Sequence, residues 1–276
     1  MDPPSCFAFA SPIIDPKRLR IEPLADTRIL LVVPIHESTP ARLRVEEMPE
    51  VYSRLAPLYK IWQKLVHGRS LHAALEMAAL CNRERVLEIA VGPGTVFESL
   101  ARANPDGLTI GIDLTPGMLD RTRRLLRRAS LTKPALCRSD ALRLPFANGS
   151  FDLVFSSYFL DLLSADDIEI AIDEMRRVLR PSGRLVVTYL LRGAGRENGR
   201  SHGRGNSWFD HLWNALYFLA PVLLGGSRPI SLIDYLPSAG FSITERRCIT
   251  ERGIPAEVIL ARTQTGAKSE LDPRQQ

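Results

Sequence analysis

The chain has 276 residues with 45% hydrophobic content, enough for one large domain with a full core, which argues against two small ones. Its 36 Lys and Arg against 31 Asp and Glu leave a formal charge of +5, a mild excess that is weak evidence for an anionic partner. Cysteines 6, 81, 137 and 248 lack pairing or metal-ligand spacing, and neither a secretory leader nor an apolar run of membrane-spanning length stands out, so a cytoplasmic setting is expected.

Residues 1–47 are Pro-rich and irregular, with one apolar run, "ILLVVPI", broken by Pro34, and read as a disordered extension. The folded domain is expected over 48–263, beginning where "MPEVYSRLAPLYKIWQKLV" turns helical. A functional start near Met48 is an alternative that N-terminal mapping of the native protein tests. From residue 84, short apolar runs alternate with amphipathic stretches. "RVLEIAV" leads to a helix ending near Ala103, "LTIGIDL" to a helix from Pro116 to about Ser130, then come "ALCRSD" and "FDLVFSS". A helix over 165–179 follows, with Ser164 and Asp167 forming a capping box and Ile168, Ile172, Met175 and Leu179 lining one face. "GRLVVTYLL" comes next, and "GFSITERRC" and "AEVILAR" close the series. Strands apolar on both faces and alternating with helices predict a mostly parallel sheet covered on both sides. Between them a Gly and Arg-rich mobile loop is expected over 192–206 and an apolar, lid-like helix over 208–224, with a disordered polar tail over 264–276.

The segment "VLEIAVGPGTVF" carries the chemistry. In an open parallel sheet, ligands bind beyond the carboxyl ends of the strands, and the first strand-to-helix turn needs glycine where backbone and ligand approach closely. Gly92 and Gly94 meet that need, and Asp113 ends the second strand where a carboxylate can accept ribose hydroxyls. A dinucleotide site has a third glycine where this chain has Phe97, so a pyrophosphate fits poorly. Three acids, Glu88, Asp113 and Asp140, gather at the strand ends instead. They suit a ligand with cationic and donor groups, such as S-adenosylmethionine.

In this order, "EIAVGPG", "GIDLTPGML", "SDALRLPFANGSFDLVFSS" and "MRRVLRPSGRLVV" resemble the successive motifs of class I S-adenosylmethionine-dependent methyltransferases. The resemblance covers about residues 50–262 and is closest to the menaquinone/ubiquinone C-methyltransferases and the bacterial phosphatidylethanolamine N-methyltransferases. It implies a Rossmann-like α/β fold, a mostly parallel seven-stranded sheet with helices on both faces and an antiparallel closing strand. It also implies S-adenosylmethionine as cofactor. Glu88, Gly92 and Gly94 would border its methionine part, Asp113 the ribose, Asp140 with Ala141 the adenine, and Met118 would pack on the adenine. Ser156 and Tyr59 complete the implied set, although Lys60 stands after Tyr59 where the family often has an acid. Ala90 replaces the commoner glycine.

No strong catalytic motif is visible. Tyr158, Asp161, His202 and His211 are candidate bases or acceptor contacts, each with a purely structural role as the competing reading, and no metal constellation is seen. Arginines 121, 123, 124, 127 and 128 lie mostly opposite Met118, Leu125 and Ala129. A solvated face is the first account of them, and contact with anionic lipid or nucleic acid the second. Nucleic acid is disfavoured by the absence of aromatic residues in "GRSHGRGN". The expectation is methyl transfer to a small lipophilic acceptor, a quinone precursor or phospholipid headgroup, with peripheral membrane contact open. Competing readings are a methyltransferase-like binding module without turnover and a NAD(P)-dependent oxidoreductase.

Overall fold

The computed structural model describes residues 68–191, 227–251 and 254–264. The expected extension at 1–47, the loop at 192–206, the lid-like helix at 208–224 and nearly all of the tail lie outside these residues, as do Tyr59, His202 and His211. In chain order the elements are α1 (Gly68–Ala78), β1 (Arg85–Ile89), α2 (Thr95–Ala103), β2 (Leu108–Asp113), α3 (Pro116–Arg128), β3 (Ala135–Arg138) and β4 (Phe151–Ser157). A 3-10 turn (Leu160–Leu162) leads to α4 (Ala165–Val178), β5 (Leu179–Leu190), α5 (Tyr235–Ser238), β6 (Phe241–Glu251) and β7 (Ile254–Thr263).

The strands form one seven-stranded sheet in the order β3-β2-β1-β4-β5-β7-β6. β1 pairs in parallel with β2 and β4, and β4 with β5, while β7 runs antiparallel between β5 and β6. The Rossmann-like expectation is met, including the antiparallel closing strand. Continuous apolar runs make the central strands: all but the first residue of β1 and the last of β4 are buried, which requires cover on both faces. Helix α4 covers one face with Ile168, Ile172 and Met175, packed with Leu87, Ile89, Val154 and Val187. Helix α1 covers the other with Ala74 and Met77, packed with Val86, Phe155, Val186 and Val258. The Ser164 cap is present: its hydroxyl accepts from the Asp167 amide at 3.1 Å and donates to the Asp167 carboxylate at 2.8 Å.

Parallel order around β1 fixes where chemistry can occur. The chain runs outward from β1 to β2 and β3, then returns to β4 on the opposite side of β1. This reversal leaves a crevice at the carboxyl ends of β1 and β4.

Candidate functional site

The turn after β1 is shaped by backbone sterics. Ala90, Gly92 and Gly94 all have left-handed φ, of 58°, 53° and 91°. Glycine accepts this at no cost, whereas Ala90 carries strain of about 1 kcal/mol, which explains why glycine is the commoner choice there. Gly94 begins α2, and a Cβ on it would come within 2.6 Å of Thr122 on α3. Thr122 in turn donates its hydroxyl to the Gly92 carbonyl at 2.9 Å. Gly94 therefore lets α3 close against the turn, a packing role beside the ligand role implied by resemblance. Phe97 is fully buried, and Gly111 of β2 leaves room for it: a Cβ on Gly111 would lie 2.8 Å from the Phe97 ring. The position that a dinucleotide fold keeps small is here filled by an aromatic ring with a matching gap in the neighbouring strand.

The acids divide by environment. Asp113 is nearly buried and accepts amide N–H bonds from Gly92 at 2.9 Å and Thr115 at 2.8 Å, so it ties the first turn to the start of α3. Burial raises its pKa, and these amides pull it partly back. Glu88 is buried within β1, and desolvation, reinforced by the nearby Asp113 charge, holds its pKa well above the usual carboxylate range. Its Oε2, like the Ser156 hydroxyl, is buried without a partner among the described residues. Such orphaned acceptors are costly and rare, and they fit a cationic, hydrogen-bond-donating ligand. Asp140 is exposed and turns the chain after β3 by accepting from the Leu142 amide at 2.9 Å.

Around these residues lies an open cleft at the carboxyl ends of the strands. One side is built by Gly92, Asp113, Thr115 and Met118, another by Ser139, Asp140, Ala141 and Leu142, and the last by Tyr158, Phe159, Leu162 and Leu163. Of the residues singled out in the sequence, the structure brings Gly92, Asp113, Met118, Asp140, Ala141 and Tyr158 to the cleft wall. Glu88 and Ser156 lie buried in β1 and β4, and Gly94 lies under Thr122.

Tyr158 follows β4 with a left-handed φ of 51°, fixed by its amide bond to the Thr188 carbonyl at 2.7 Å and by a 2.7 Å hydroxyl contact with the buried Ser70 of α1. Burial pushes its pKa upward, so the hydroxyl remains a phenol at neutral pH, which runs against a role as general base. Asp161 is fully buried, with one oxygen accepting from the Leu190 amide at 3.4 Å and the other without a partner among the described residues. Desolvation raises its pKa to about 7 against the opposing pull of the Leu190 amide and, less, of Arg228. It is not part of the cleft wall, which takes its neighbours Leu162 and Leu163. Sequence reasoning missed those two leucines, Phe159, Leu142 and the Ser70 support of Tyr158. The readable signal for the leucines was their place just past a strand end, in "LDLLS". Ser70 lies 88 residues from Tyr158 and had none. Among the described residues no group of three or more His, Cys, Asp or Glu could hold a metal ion.

An open, mostly parallel sheet with a glycine turn, a buried acid at the end of β2 and orphaned acceptors at its switch point is an arrangement this chain shares with methyltransferase domains. Residues 86–183 match the family model described as a methyltransferase domain. A demethylmenaquinone methyltransferase of Thermus thermophilus is 34% identical over 145 residues, 50% of this chain and 63% of that protein. A ubiquinone/menaquinone biosynthesis C-methyltransferase of Paraburkholderia xenovorans is 33% identical over 151 residues, 52% and 60% respectively. The chain thus spans less than two thirds of the length of these relatives. Among solved structures, the cyclase SpnF superimposes with a TM-score of 0.62 at 18% identity, covering 82% of this chain and 98% of that one. A SAM-dependent methyltransferase from Methanosarcina mazei gives a TM-score of 0.53 at 20% identity, covering 67% and 94%. These two likenesses establish the fold, and the cyclase among them illustrates that fold alone does not set the reaction.

Proposed function

We propose that the protein binds S-adenosylmethionine in this cleft and transfers its methyl group to a small lipophilic acceptor, a quinone precursor or a phospholipid headgroup, at or near a membrane surface. The observation that carries the reading is the pairing of Asp113 on the cleft wall with buried, unsatisfied acceptors on Glu88 and Ser156. In this reading Glu88 and Ser156 face the amino-acid end of the ligand, with Glu88 ionising against its ammonium. Asp113 accepts the ribose hydroxyls with lone pairs left over from its two amide bonds. Asp140, Ala141 and Met118 border the adenine, and the Gly92 backbone permits close approach. Gly94 and Tyr59 belong to the same proposed set.

When bound, the cofactor supplies an electrophilic methyl group. The chain's contribution is alignment and exclusion of water, which can lower a barrier by several kcal/mol without a covalent step. Leu162, Leu163 and Phe159 give the acceptor side an apolar wall, which supports a lipophilic acceptor. The two curated relatives above carry names of quinone-pathway methyltransferases, which supports a quinone precursor first. The family match and Phe97 in the place of a third glycine support this reading over a nicotinamide-dependent one.

Calorimetric titration with S-adenosylmethionine and S-adenosylhomocysteine tests the proposal. Micromolar binding that Asp113→Ala weakens by about tenfold to a hundredfold is expected, from the loss of a charged hydrogen-bond acceptor. If neither ligand binds the parent chain, the enzyme reading fails and a partner-serving module takes its place.

A further inference from the structure

Helix α3 buries Met118, Leu119, Thr122 and Leu126. At 100° per residue, Arg121, Arg124, Arg127 and Arg128 then fall within an arc of about 120° on its opposite side. Arg124, Arg127 and Arg128 are exposed and Arg121 is half-buried. Asp120 is the helix's one acid, and Arg123 engages it at 2.5 Å. None of the other four arginines has an ion pair or side-chain hydrogen bond among the described residues. By contrast, Arg102, Arg177, Arg180, Arg184, Arg246 and Arg247 each sit within hydrogen-bond range of a carboxylate, although other arginines outside α3, such as Arg138, Arg176 and Arg262, meet only carbonyls. A merely solvated face would be expected to intersperse acids, as the other helices do.

The location matters as much as the charge. The N-terminal end of α3 supplies Thr115 and Met118 to the cleft, so the basic face starts beside the cleft rim. We propose that the outer face of α3 docks the protein on an anionic lipid surface, holding the cleft close to a lipophilic acceptor. This rests on the lipophilic-acceptor reading above. Guanidinium groups suit the task because each can fork onto phosphate oxygens and is always charged. The helix offers no aromatic residue on which a base could stack, which favours lipid over nucleic acid.

The test uses the full chain and flotation with vesicles of phosphatidylglycerol mixed into phosphatidylcholine, against pure phosphatidylcholine. Binding to the anionic vesicles alone is expected, and its loss at about 1 M salt, where the screening length falls to about 3 Å. Each arginine is expected to contribute about fivefold in partitioning, so R124Q/R127Q/R128Q weakens binding on the order of a hundredfold, while R124K/R127K/R128K stays within a few-fold of the parent. Arg127 and Arg128 also complement the carboxyl end of the helix dipole. If the triple glutamine variant does not fold, Arg121→Gln and Arg124→Gln, each expected to lose about fivefold, decide the matter. Equal partitioning of parent and glutamine variants overturns the proposal, as does equal binding to neutral vesicles. Tighter binding to a single-stranded RNA oligonucleotide overturns it in favour of nucleic acid. S-adenosylmethionine titration of the same variants is expected to be unchanged. Failure of the parent in that titration would sink the methyltransferase reading by a separate route.

Discussion

Two buried carboxylates in one sheet behave in opposite ways. Glu257, on β7, is completely satisfied: it accepts from the Tyr189 hydroxyl and from Arg246 at 2.8 Å, stapling β5, β7 and β6 together. Glu88, on β1, has an oxygen with no partner and stands near a second buried acid, Asp113. Both are inaccessible to water. The closing half of the sheet spends its buried charge on holding itself together, whereas the half around β1 keeps acceptors open at the switch point. A polar group left unsatisfied beside a cleft is one that a ligand can complete, whereas a saturated one serves the architecture.

Breaking the saturated group has the largest expected effect. Glu257→Ala leaves the Tyr189 hydroxyl and the Arg246 guanidinium without their partner, a loss of about 3–5 kcal/mol by analogy with other broken buried pairs. In a domain of this size that lowers the melting temperature on the order of 10 °C. Scanning calorimetry of the purified variant checks it, and a fall no larger than that of a surface substitution would show that the staple carries little.

Next comes a pH dependence from Asp161, equally buried, with one oxygen bonded and the other without a partner among the described residues. Its folded pKa, about 7, is above the unfolded value of about 4. A raised carboxyl pKa means the folded state holds the proton more tightly. The associated stability is complete below about pH 4 and is lost as pH rises to about 7, up to about 4 kcal/mol in all. Asp161→Asn keeps an acceptor for the Leu190 amide and removes the titration. Denaturant midpoints at about pH 5 and pH 8 are therefore expected to converge in the variant relative to the parent. An unchanged difference would assign the pH dependence to other groups.

These contrasts show what could be read from the chain alone. The strand and helix alternation was legible because central strands buried on both faces must be apolar throughout. The acids at 88, 113 and 140 were legible because each interrupts or ends such a run. The slot of β7 between β5 and β6 was not spelled out by the run "AEVILAR", since pairing order depends on contacts far apart in sequence. The Ser70 and Tyr158 contact was hidden for the same reason. Phe97 showed in the sequence only as a missing glycine. Its physical meaning emerged once Gly111 was seen to provide the gap it fills.

The open acceptor gives the sharpest contrast with Glu257. Glu88→Gln preserves shape and removes a buried carboxyl whose ionisation folding opposes, so the ligand-free protein is expected to gain on the order of 1 kcal/mol at about pH 8. The same change is expected to weaken S-adenosylmethionine binding by about tenfold or more, because the charged partner of its ammonium is gone. Stability rising while affinity falls is a combination that a structural carboxylate cannot produce. Thermal melting and calorimetric titration on one preparation would show it. A variant that loses both would move Glu88 to the architectural class with Glu257.

The smallest effect belongs to the backbone of the same turn. Ala90 sits on the cleft wall with φ of 58°, where an L side chain carries strain of about 1 kcal/mol. Ala90→Gly relieves it but frees the unfolded chain, which costs about 0.4–1 kcal/mol. The two nearly cancel, so the melting temperature should move by no more than about 2 °C. Binding should be retained, since glycine leaves the Gly92 and Gly94 geometry in place and opens the wall slightly. A large loss of stability would mean that the Ala90 methyl packs against its neighbours strongly enough to outweigh its strain. The turn would then be held in its left-handed path by side-chain contact as well as by the glycines around it.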